Sequence, residues 1–410
     1  MVIVSKKIGQ RLRAMIEIVN NGFIKINALN SADIHQCLDL LTKSFPSNSY
    51  YDLHKKMNFF VQNEPELKCL VLKENDECIG IQCIVGRALN YFGISCRAIV
   101  LSYTAIKPSH QNSDAIDIIK KNMFNYINNN SDLSLGFARK VMDNYWYPYG
   151  YRGVTNFCEI SLSLKPIGLS KTKVNSKLIK SEDIPLIDEY YNNTHREMLG
   201  PFQRSNELWE CYLKKIKKIS LKLFVMDLDK KPIGYYILND NVVLEVGYNL
   251  SFSKQVFKHI ICKLKGLGYD NVIFKIGKEH PLNTVITQYE HSINTRFVWR
   301  GGHIVRITSV KGFLNNILNV LEIRAQNSNL SDFDFSCNSY RFSFSKNKLS
   351  ITSNNRNKSN IIFDEFEWTK LIYGACRLKL LNGYVGDKNE NILRILFPIC
   401  SPQFLEIDQV

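Results

Sequence analysis

The sequence lacks several features that would place it in a familiar class. None of its eleven cysteines forms a CxxC pair, so neither a zinc ribbon nor a dithiol redox centre is expected, and no metal is predicted. No window approaches the roughly 20 apolar residues of a membrane span. Residues Met1–Val19 lack the apolar core and cleavage site of a signal peptide. We therefore expect a cytoplasmic protein without a membrane span, whose cysteines are mostly small buried hydrophobes.

Sequence signatures of nucleic-acid binding are also missing, although the net charge is +15. There is no zinc finger, helix-turn-helix or aromatic RNA-binding motif. The charge then has two better explanations, a lysine-rich solvated surface or a preference for small anionic ligands such as coenzyme A or a nucleotide sugar. No nucleic-acid partner is predicted.

The length and composition indicate a globular protein of two or three domains. A chain of 410 residues is too long for one ordinary core. The hydrophobic content of 45% with 22% charged residues is typical of globular proteins.

The most informative stretch predicts a strand, a polar turn and a helix. Ala98–Ile106 is rich in β-branched and aromatic residues, and Pro108 ends the strand because proline has no N–H for the ladder. Ser109–Ser113 has turn chemistry, and Ser113 can cap the following helix. A helix start carries free N–H groups and a positive dipole end, so it can bind a phosphate. An ordinary strand–turn–helix without a ligand is the alternative. The apolar face of the helix comprises Ile116, Ile119, Met123 and Ile127.

The order of predicted elements repeats along the chain. Residues before 165 follow the order strand, two helices, several strands, helix, strand, which is mixed α/β and not a doubly wound parallel sheet. Lys165–Lys177 has the composition of a linker. A second unit from Ser181 then repeats the order with degenerate loops, which indicates two diverged copies of one unit.

The last part of the chain has a different pattern. Ser331–Ser353 alternates strongly, and Asp364–Leu380 has helical periodicity. A strand-rich piece followed by helices resembles a sterol-carrier-like α+β domain.

The strand, proline and capped helix resemble the coenzyme-A loop of the GCN5-related N-acetyltransferases. Gln111 stands where that family has Gln or Arg, whereas Asp114 and Ile116 stand where it has glycines. Two unit charges about 4 Å apart interact by roughly 4 kcal/mol near a protein surface, so Asp114 is expected to point away from a bound diphosphate. The resemblance implies an acetyl-CoA or other short acyl-CoA co-substrate. Its implied contacts are Thr104, Ile106, Gln111, Asn112, Ser113 and Asp114.

The stretch Arg139–Val154 resembles the closing motif of the same family. Gly150-Tyr151 supplies its glycine–aromatic pair, and Trp146 stands at the usual tyrosine position. Tyr145 and Tyr147 flank Trp146, and a tyrosine, with a reference pKa near 10, can protonate a leaving thiolate. The alternative is an aromatic cluster that closes the core.

Two acetyltransferase-like units followed by a sterol-carrier-like domain resemble the Eis-like N-acetyltransferases over nearly the whole chain. The predicted boundaries are 1–165, 166–310 and 311–410. Three pieces carry the resemblance beyond element order, namely Gly200–Arg204 with Trp209, Val305–Ile307 with Val310, and Phe397-Pro398 with Pro402 and Asp408.

The resemblance also implies a mechanism, in which an amine attacks the thioester. The terminal carboxylate of Val410 would take the amine proton, a backbone N–H near Ile106 would polarise the carbonyl, and Tyr145 or Tyr147 would protonate the thiolate. Glu245 lies on the strand where the family often has a base, but we favour a structural carboxylate there. Lys254 could touch a phosphate, but we favour a degenerate second loop.

Three functions stay open. The favoured one is transfer to a nucleotide-linked amino sugar, because the net positive charge suits an anionic acceptor. The same chemistry on aminoglycosides, polyamines or lysine side chains is the second, and a non-catalytic coenzyme-A- or ligand-binding protein is the third. The resemblance also suggests a homo-oligomer.

Overall fold

A computed structural model describes residues 16–18, 22–25, 29–45, 50–137, 146–155, 157–168, 172–296, 303–328, 330–353, 361–374 and 389–408. The chain divides into two units. The first takes its residues from 1–87 and 97–136, and the second takes them from 88–96 and 137–409. In the described residues no helix has the length and apolarity to cross a membrane.

The first unit contains a β-sheet and α-helices. Its β5 and β6 run parallel, whereas β1, β2 and β4 are antiparallel to β3. The elements are β1 (Ile16–Ile18), β2 (Ile24–Lys25), α1 (Ser31–Ser44), α2 (Tyr50–Asn63), β3 (Leu67–Glu74), β4 (Glu77–Tyr91), β5 (Ile94–Ile106), α3 (Ala115–Asn130) and β6 (Leu133–Phe137).

Side-chain capping and apolar periodicity explain the helices of this unit. The Asn30 side chain accepts a hydrogen bond from the Asp33 N–H at 2.8 Å, so Asn30 caps α1 and the expected cap, Ser31, is the first helical residue. The predicted face of α3 is buried at Ile119, Met123 and Ile127.

The second unit begins with β7 and a seven-stranded sheet in the order β15-β8-β14-β13-β12-β11-β9. Here β13 and β14 form a parallel pair, as β5 and β6 do in the first unit. The elements are β7 (Arg152–Thr155), β8 (Phe157–Ser163), β9 (Val174–Leu178), α4 (Ile184–His195), β10 (Leu199–Gln203), α5 (Asn206–Lys218), β11 (Lys222–Leu228), β12 (Lys231–Asn239), β13 (Val242–Tyr248), α6 (Ser253–Gly266), β14 (Asn271–Phe274), α7 (Asn283–Ile286), β15 (His291–Arg296) and β16 (His303–Ile307).

Both faces of the seven-stranded sheet are covered by apolar side chains. One cluster joins the sheet to α6 through Val256, Phe257 and Ile260. The other joins it to α4 and α5 and includes Leu405 and Ile407 from the last described segment. The last described segment is thus part of the core of the second unit.

The last part of the second unit contains a three-stranded antiparallel sheet, as the alternation of Ser331–Ser353 predicts. Asp364 caps the helix that follows it through a capping box with Glu367. The elements are α8 (Val310–Asn316), α9 (Leu318–Asn327), β17 (Phe333–Cys337), β18 (Tyr340–Ser345), β19 (Lys348–Ser353), α10 (Glu365–Ile372) and α11 (Glu390–Leu396). The sterol-carrier-like type of this part and the three-domain boundaries stay predictions.

Candidate functional site

In the first unit, β5 extends beyond its parallel partner. Residues Ala98–Leu101 pair with Leu133–Gly136 of β6, and β5 then continues to Ile106. Among the described residues, no strand pairs with Ser102–Ile106 on that side of β5. We call the β6-facing side of Ser102–Ile106 the open edge of β5.

Backbone N–H groups of two predicted contact residues point to this open edge. The Lys107 N–H donates to the carbonyl of Ile79 in β4 at 2.8 Å. Successive N–H groups of a strand alternate in direction, so those of Thr104 and Ile106 point away from β4. The Ile106 carbonyl accepts a bond from the Gln111 side chain at 3.4 Å. An extended ligand bearing amides can therefore pair with the open edge as a further strand does.

The turn after β5 is held in place by an ion pair and a hydrogen bond. The Lys107 ammonium lies 2.6 Å from Glu77, and the His110 ring lies 3.0 Å from Glu74. Pro108–His110 forms one turn of 3₁₀ helix, which leads to the exposed Gln111. Both partners come from the neighbouring hairpin of β3 and β4, so the turn is fixed before any ligand binds.

The start of α3 presents amides together with carboxylates. The predicted cap, Ser113, lies one residue before the N-cap position, which is Asp114. Its hydroxyl accepts a bond from the Ala115 N–H at 3.2 Å and donates to the His110 carbonyl at 2.7 Å. The N–H groups of Ile116 and Asp117 have no partner within the described residues. Asp114 has helical dihedrals and its side chain does not cap the helix, while Asp117 adds a second carboxylate to the first turn. The amides fit a phosphate, and the carboxylates weaken that fit.

A buried glutamine that the sequence analysis missed holds the side chain of Thr104. The Thr104 hydroxyl donates to Oε1 of Gln82 at 2.6 Å, and Nε2 of Gln82 donates to the Cys83 carbonyl at 2.7 Å. Gln82 is 1% exposed, whereas Thr104 is exposed. A polar residue within the apolar run Ile79–Val85 was the signal that could have found it.

The aromatic closing motif lies in the second unit. Gly150 ends a 3₁₀ turn over Tyr147–Tyr149 with φ of 83°, in the left-handed region that favours glycine. Tyr147 is 38% exposed, and its carbonyl accepts a bond from the Arg152 guanidinium at 3.0 Å. The ring of Tyr151 is fully buried against Trp146. Tyr147 is therefore accessible as an acid, whereas Tyr145 and Val410 lie outside the described residues.

Glu245 is sealed inside the second unit. Arg204 donates to both oxygens of Glu245 at 2.7 Å and to Asp408 at 2.8 Å, with all three side chains almost completely buried. Tyr235 donates to Glu245 at 2.6 Å, and Tyr212 donates to Asp408 at 2.8 Å. Burial raises the pKa of Asp408. The geometry agrees with the structural role that we favoured for Glu245.

Glycine is needed where the last segment crosses the second unit. Gly200 has φ of 116°, and a Cβ there would overlap the carbonyl oxygen of Gln403. The Gln403 N–H donates to the Leu199 carbonyl at 2.8 Å. The Trp209 ring lies 4.5 Å from the Arg204 guanidinium. The glycine, arginine and tryptophan of this sequence pattern therefore all hold the segment 401–408.

The structure brings the predicted contact residues together in one place. Thr104, Ile106, Gln111, Asn112, Ser113 and Asp114 all lie on the consecutive end of β5, turn and start of α3. Lys254 is exposed at the corresponding start of α6. No cluster of three or more His, Cys, Asp or Glu side chains with metal-binding geometry occurs in the described part of the chain.

Solved structures with the same fold are known, although no family profile and no curated protein sequence matches the chain. A probable N-acyltransferase of unknown function from Enterococcus faecalis V583 superposes with a TM-score of 0.71 at 14% identity, covering 97% of this chain and 100% of that one. A GCN5-related N-acetyltransferase from Anabaena variabilis gives 0.70 at 13% identity, covering 96% and 100%. Eis1 from Mycobacterium abscessus gives 0.63 at 12% identity, covering 96% and 100%.

These likenesses establish the fold over nearly the full length of each chain. The chain has the mixed α/β architecture of the GCN5-related N-acetyltransferases in its Eis-like form, so the predicted fold class is confirmed. At identities of 12–14%, they identify the fold and leave the reaction to be argued from the residues.

Proposed function

We propose that this protein is an acyltransferase that moves an acetyl or short acyl group from coenzyme A to a primary amine. The observation that carries the proposal is the open edge of β5. There the N–H groups of Thr104 and Ile106 point to a side on which no strand pairs within the described part of the chain. The pantetheine arm of coenzyme A contains two amides and can pair with such an edge. The shared fold supports the same conclusion.

The donor would be held along the end of β5, the turn and the start of α3. The thioester arm would lie along Thr104 and Ile106, with the diphosphate near the amides of Ile116 and Asp117. Gln111 and Asn112 are exposed on the turn and can reach the nucleotide end. Asp114 opposes this placement, so we expect modest affinity for the donor.

The reaction would be attack of a neutral amine on the thioester carbonyl. The new C–N bond forms, the C–S bond breaks, and the N–H of Ile106 stabilises the developing oxyanion. The resemblance to the family assigns the proton for the thiolate to Tyr145 or Tyr147, and this assignment stays a prediction. The ammonium proton would pass to a base, for which the carboxyl group of Val410 stays our prediction.

A nucleotide-linked amino sugar is the acceptor that we favour. The support is the charge of +15, which attracts an anionic substrate more than a polycationic one. Aminoglycosides, polyamines and lysine side chains are the alternative acceptors for the same chemistry. Cytoplasmic location and a homo-oligomer also stay predictions.

A thiol-release assay with acetyl-CoA over a panel of amines tests the proposal. Thiol release with a nucleotide amino sugar, and less with aminoglycosides or polyamines, is the expected result. Thiol release with the polycationic amines alone would show that the acceptor is a polycationic amine and not the nucleotide amino sugar that we favour. No release with any amine, together with calorimetric binding of acetyl-CoA, would leave a binding protein.

The non-catalytic alternative has an observation of its own. Asp114 and Asp117 place two carboxylates in the first turn of α3, where the family's loop holds a diphosphate. If calorimetry detects no binding of acetyl-CoA, these residues supply the physical reason and both enzyme hypotheses fail.

A further inference from the structure

The side chains of Gln82 and Thr104 form an ordered pair at the open edge of β5. Gln82 comes from the middle of β4, and the residue is 1% exposed. Thr104 is exposed on β5, in the stretch Ser102–Ile106, one side of which pairs with no strand among the residues that the structure describes. The pair thus joins the buried interior of the sheet to the surface on which a ligand would lie.

The direction of each hydrogen bond in the pair is fixed by chemistry. The Cys83 carbonyl can only accept, so the nitrogen of the Gln82 amide faces it at 2.7 Å and the oxygen faces Thr104. The Gln82 oxygen can only accept, so the Thr104 hydroxyl must donate to it, at 2.6 Å. The single hydroxyl hydrogen of Thr104 is therefore committed to the interior.

A hydroxyl with a committed hydrogen can serve a ligand only as an acceptor. Its oxygen keeps lone pairs that can receive an N–H or O–H donor. Without Gln82 the same hydroxyl would rotate and could donate to or accept from the ligand. The buried amide of Gln82 therefore restricts the Thr104 hydroxyl, which could otherwise donate or accept, to accepting hydrogen bonds from a ligand.

We propose that Gln82 is a positioning residue, which orients the Thr104 hydroxyl to accept an N–H hydrogen bond from the ligand at the open edge of β5. This inference rests on the proposed function, because it needs a ligand there. Two ligand groups carry such an N–H, an amide of the pantetheine arm and the amine that is acylated. The pair does not take part in bond making, so its contribution is to binding and orientation.

The test is a double-mutant cycle with three binding and kinetic readouts. Gln82→Leu, Thr104→Val and the double variant are compared by the Kd for acetyl-CoA, the KM for the amine and kcat. Thr104→Val should weaken the step that uses the N–H contact by about fivefold to tenfold, since one hydrogen bond is lost. Gln82→Leu should give a smaller loss, and in the Thr104→Val background it should add nothing.

Two further variants separate this role from a purely structural one. Thr104→Ser keeps the hydroxyl and should restore most of the lost affinity. Thr352→Val removes an exposed threonine hydroxyl from β19 and should change no readout. Because Thr104 is exposed, its variants should fold even if Gln82→Leu unfolds the first unit, which a thermal melt would show.

The readouts identify which N–H the hydroxyl accepts. A rise in the Kd for acetyl-CoA assigns the contact to the pantetheine arm, and a rise in the amine KM alone assigns it to the acceptor. Additive effects of the two substitutions would overturn the inference, and so would an unchanged Kd and KM in Thr104→Val. If the wild type turns over in these experiments, the proposed function still stands. Absence of both binding and turnover in the wild type would remove the proposed function, and this inference with it.

Discussion

The two parallel crossovers of the molecule have the same element order and opposite chemistry. In the first unit, β5, a 3₁₀ turn, α3 and β6 follow one another, and in the second unit β13, a 3₁₀ turn, α6 and β14 do so. Both strands continue beyond their parallel partners, β13 over residues 244–248. β5 ends with the exposed Thr104, whereas β13 is almost fully buried and its Tyr248 N–H donates to the Thr194 hydroxyl at 2.8 Å. The difference is that the end of β5 is accessible at Thr104, whereas the end of β13 is closed by side chains of its own unit.

The two crossovers also differ in the burial of their carboxylates. Glu245 on β13 is fully buried and satisfied by Arg204 and Tyr235. Asp114 at the start of α3 lies at the surface of the first unit. A charge inside the second unit needs its partners to keep the fold, whereas a charge at the surface of the first one can alter binding with little effect on stability.

The largest expected effect is a fall in the stability of the second unit when the pH is lowered. Burial lowers the pKa of His195, His280 and His303 to about 3, so these residues are neutral in the folded state. Unfolded histidines titrate near 6.5, so the unfolded state binds more protons between about pH 6.5 and 3, and stability falls as the pH falls through that window. By pH 5 we expect a loss of about 2 kcal/mol for each, or about 6 kcal/mol together.

Hydrogen exchange at pH 7 and pH 5 checks this prediction in each unit separately. Protection should fall first in the strands of the second unit, β11 to β14. Earlier loss in β3 to β5 of the first unit would contradict it. Replacement of the half-buried His291 by Gln should leave the profile unchanged.

The next largest effect is expected for the buried guanidinium of the second unit. Arg204→Leu leaves Glu245 and Asp408 without their charged partner, which should cost about 3–5 kcal/mol of the free energy of unfolding. Urea denaturation measures the loss. As a matched control, Arg341→Leu breaks the exposed pair with Asp334 and should change stability little. Equal effects of the two substitutions would show that the buried cluster does not stabilise the second unit.

A smaller effect is expected where the last segment passes Gly200. Gly200→Ala adds a Cβ against the Gln403 carbonyl at a φ of 116°, which should destabilise the protein by about 2 kcal/mol. Gly153→Ala is the matched control, because no atom lies within 4 Å of its Cβ position. Thermal melting compares the two, and a neutral Gly200→Ala would mean that the segment can move aside.

The smallest effect concerns the surface charge of the first unit. Asp114→Asn removes a carboxylate from the start of α3, and the affinity for acetyl-CoA should rise by up to about fivefold, since a charge at a helix end contributes about 0.3–1 kcal/mol. Asp270→Asn neutralises an exposed carboxylate in the second unit and should not change the affinity. Weaker binding by Asp114→Asn would show that this side chain contacts the donor favourably.

The sequence pattern was sufficient for the local elements of the first unit. Strand propensity in Ala98–Ile106, the proline at 108 and the spacing of Ile119, Met123 and Ile127 predicted β5, the turn and α3. These signals are local, because they depend on backbone chemistry and on one helix face. The open edge was not predictable, since the length of β6 that pairs with β5 depends on both strands.

The features that the sequence could not supply join distant parts of the chain. Arg204 and Asp408 are 204 positions apart, so no periodicity relates them. β9 (Val174–Leu178) overlaps the end of the stretch that we predicted as a linker, Lys165–Lys177, because the strand is short and its ladder partner is β11. In the sequence Gln82 is a polar residue within an apolar strand, and its role becomes visible only through its hydrogen bond with Thr104 on the next strand.

The close approach at Gly200 has an evolutionary consequence. Two backbone stretches that touch without room for one carbon atom cannot change independently. Lineages that descend from the same ancestor should keep glycine at this position for as long as they keep the residues from 401 to 408 in their present path. Where that path is rerouted, substitutions at both places are expected to arise together, and Arg204 should be released from selection at the same step.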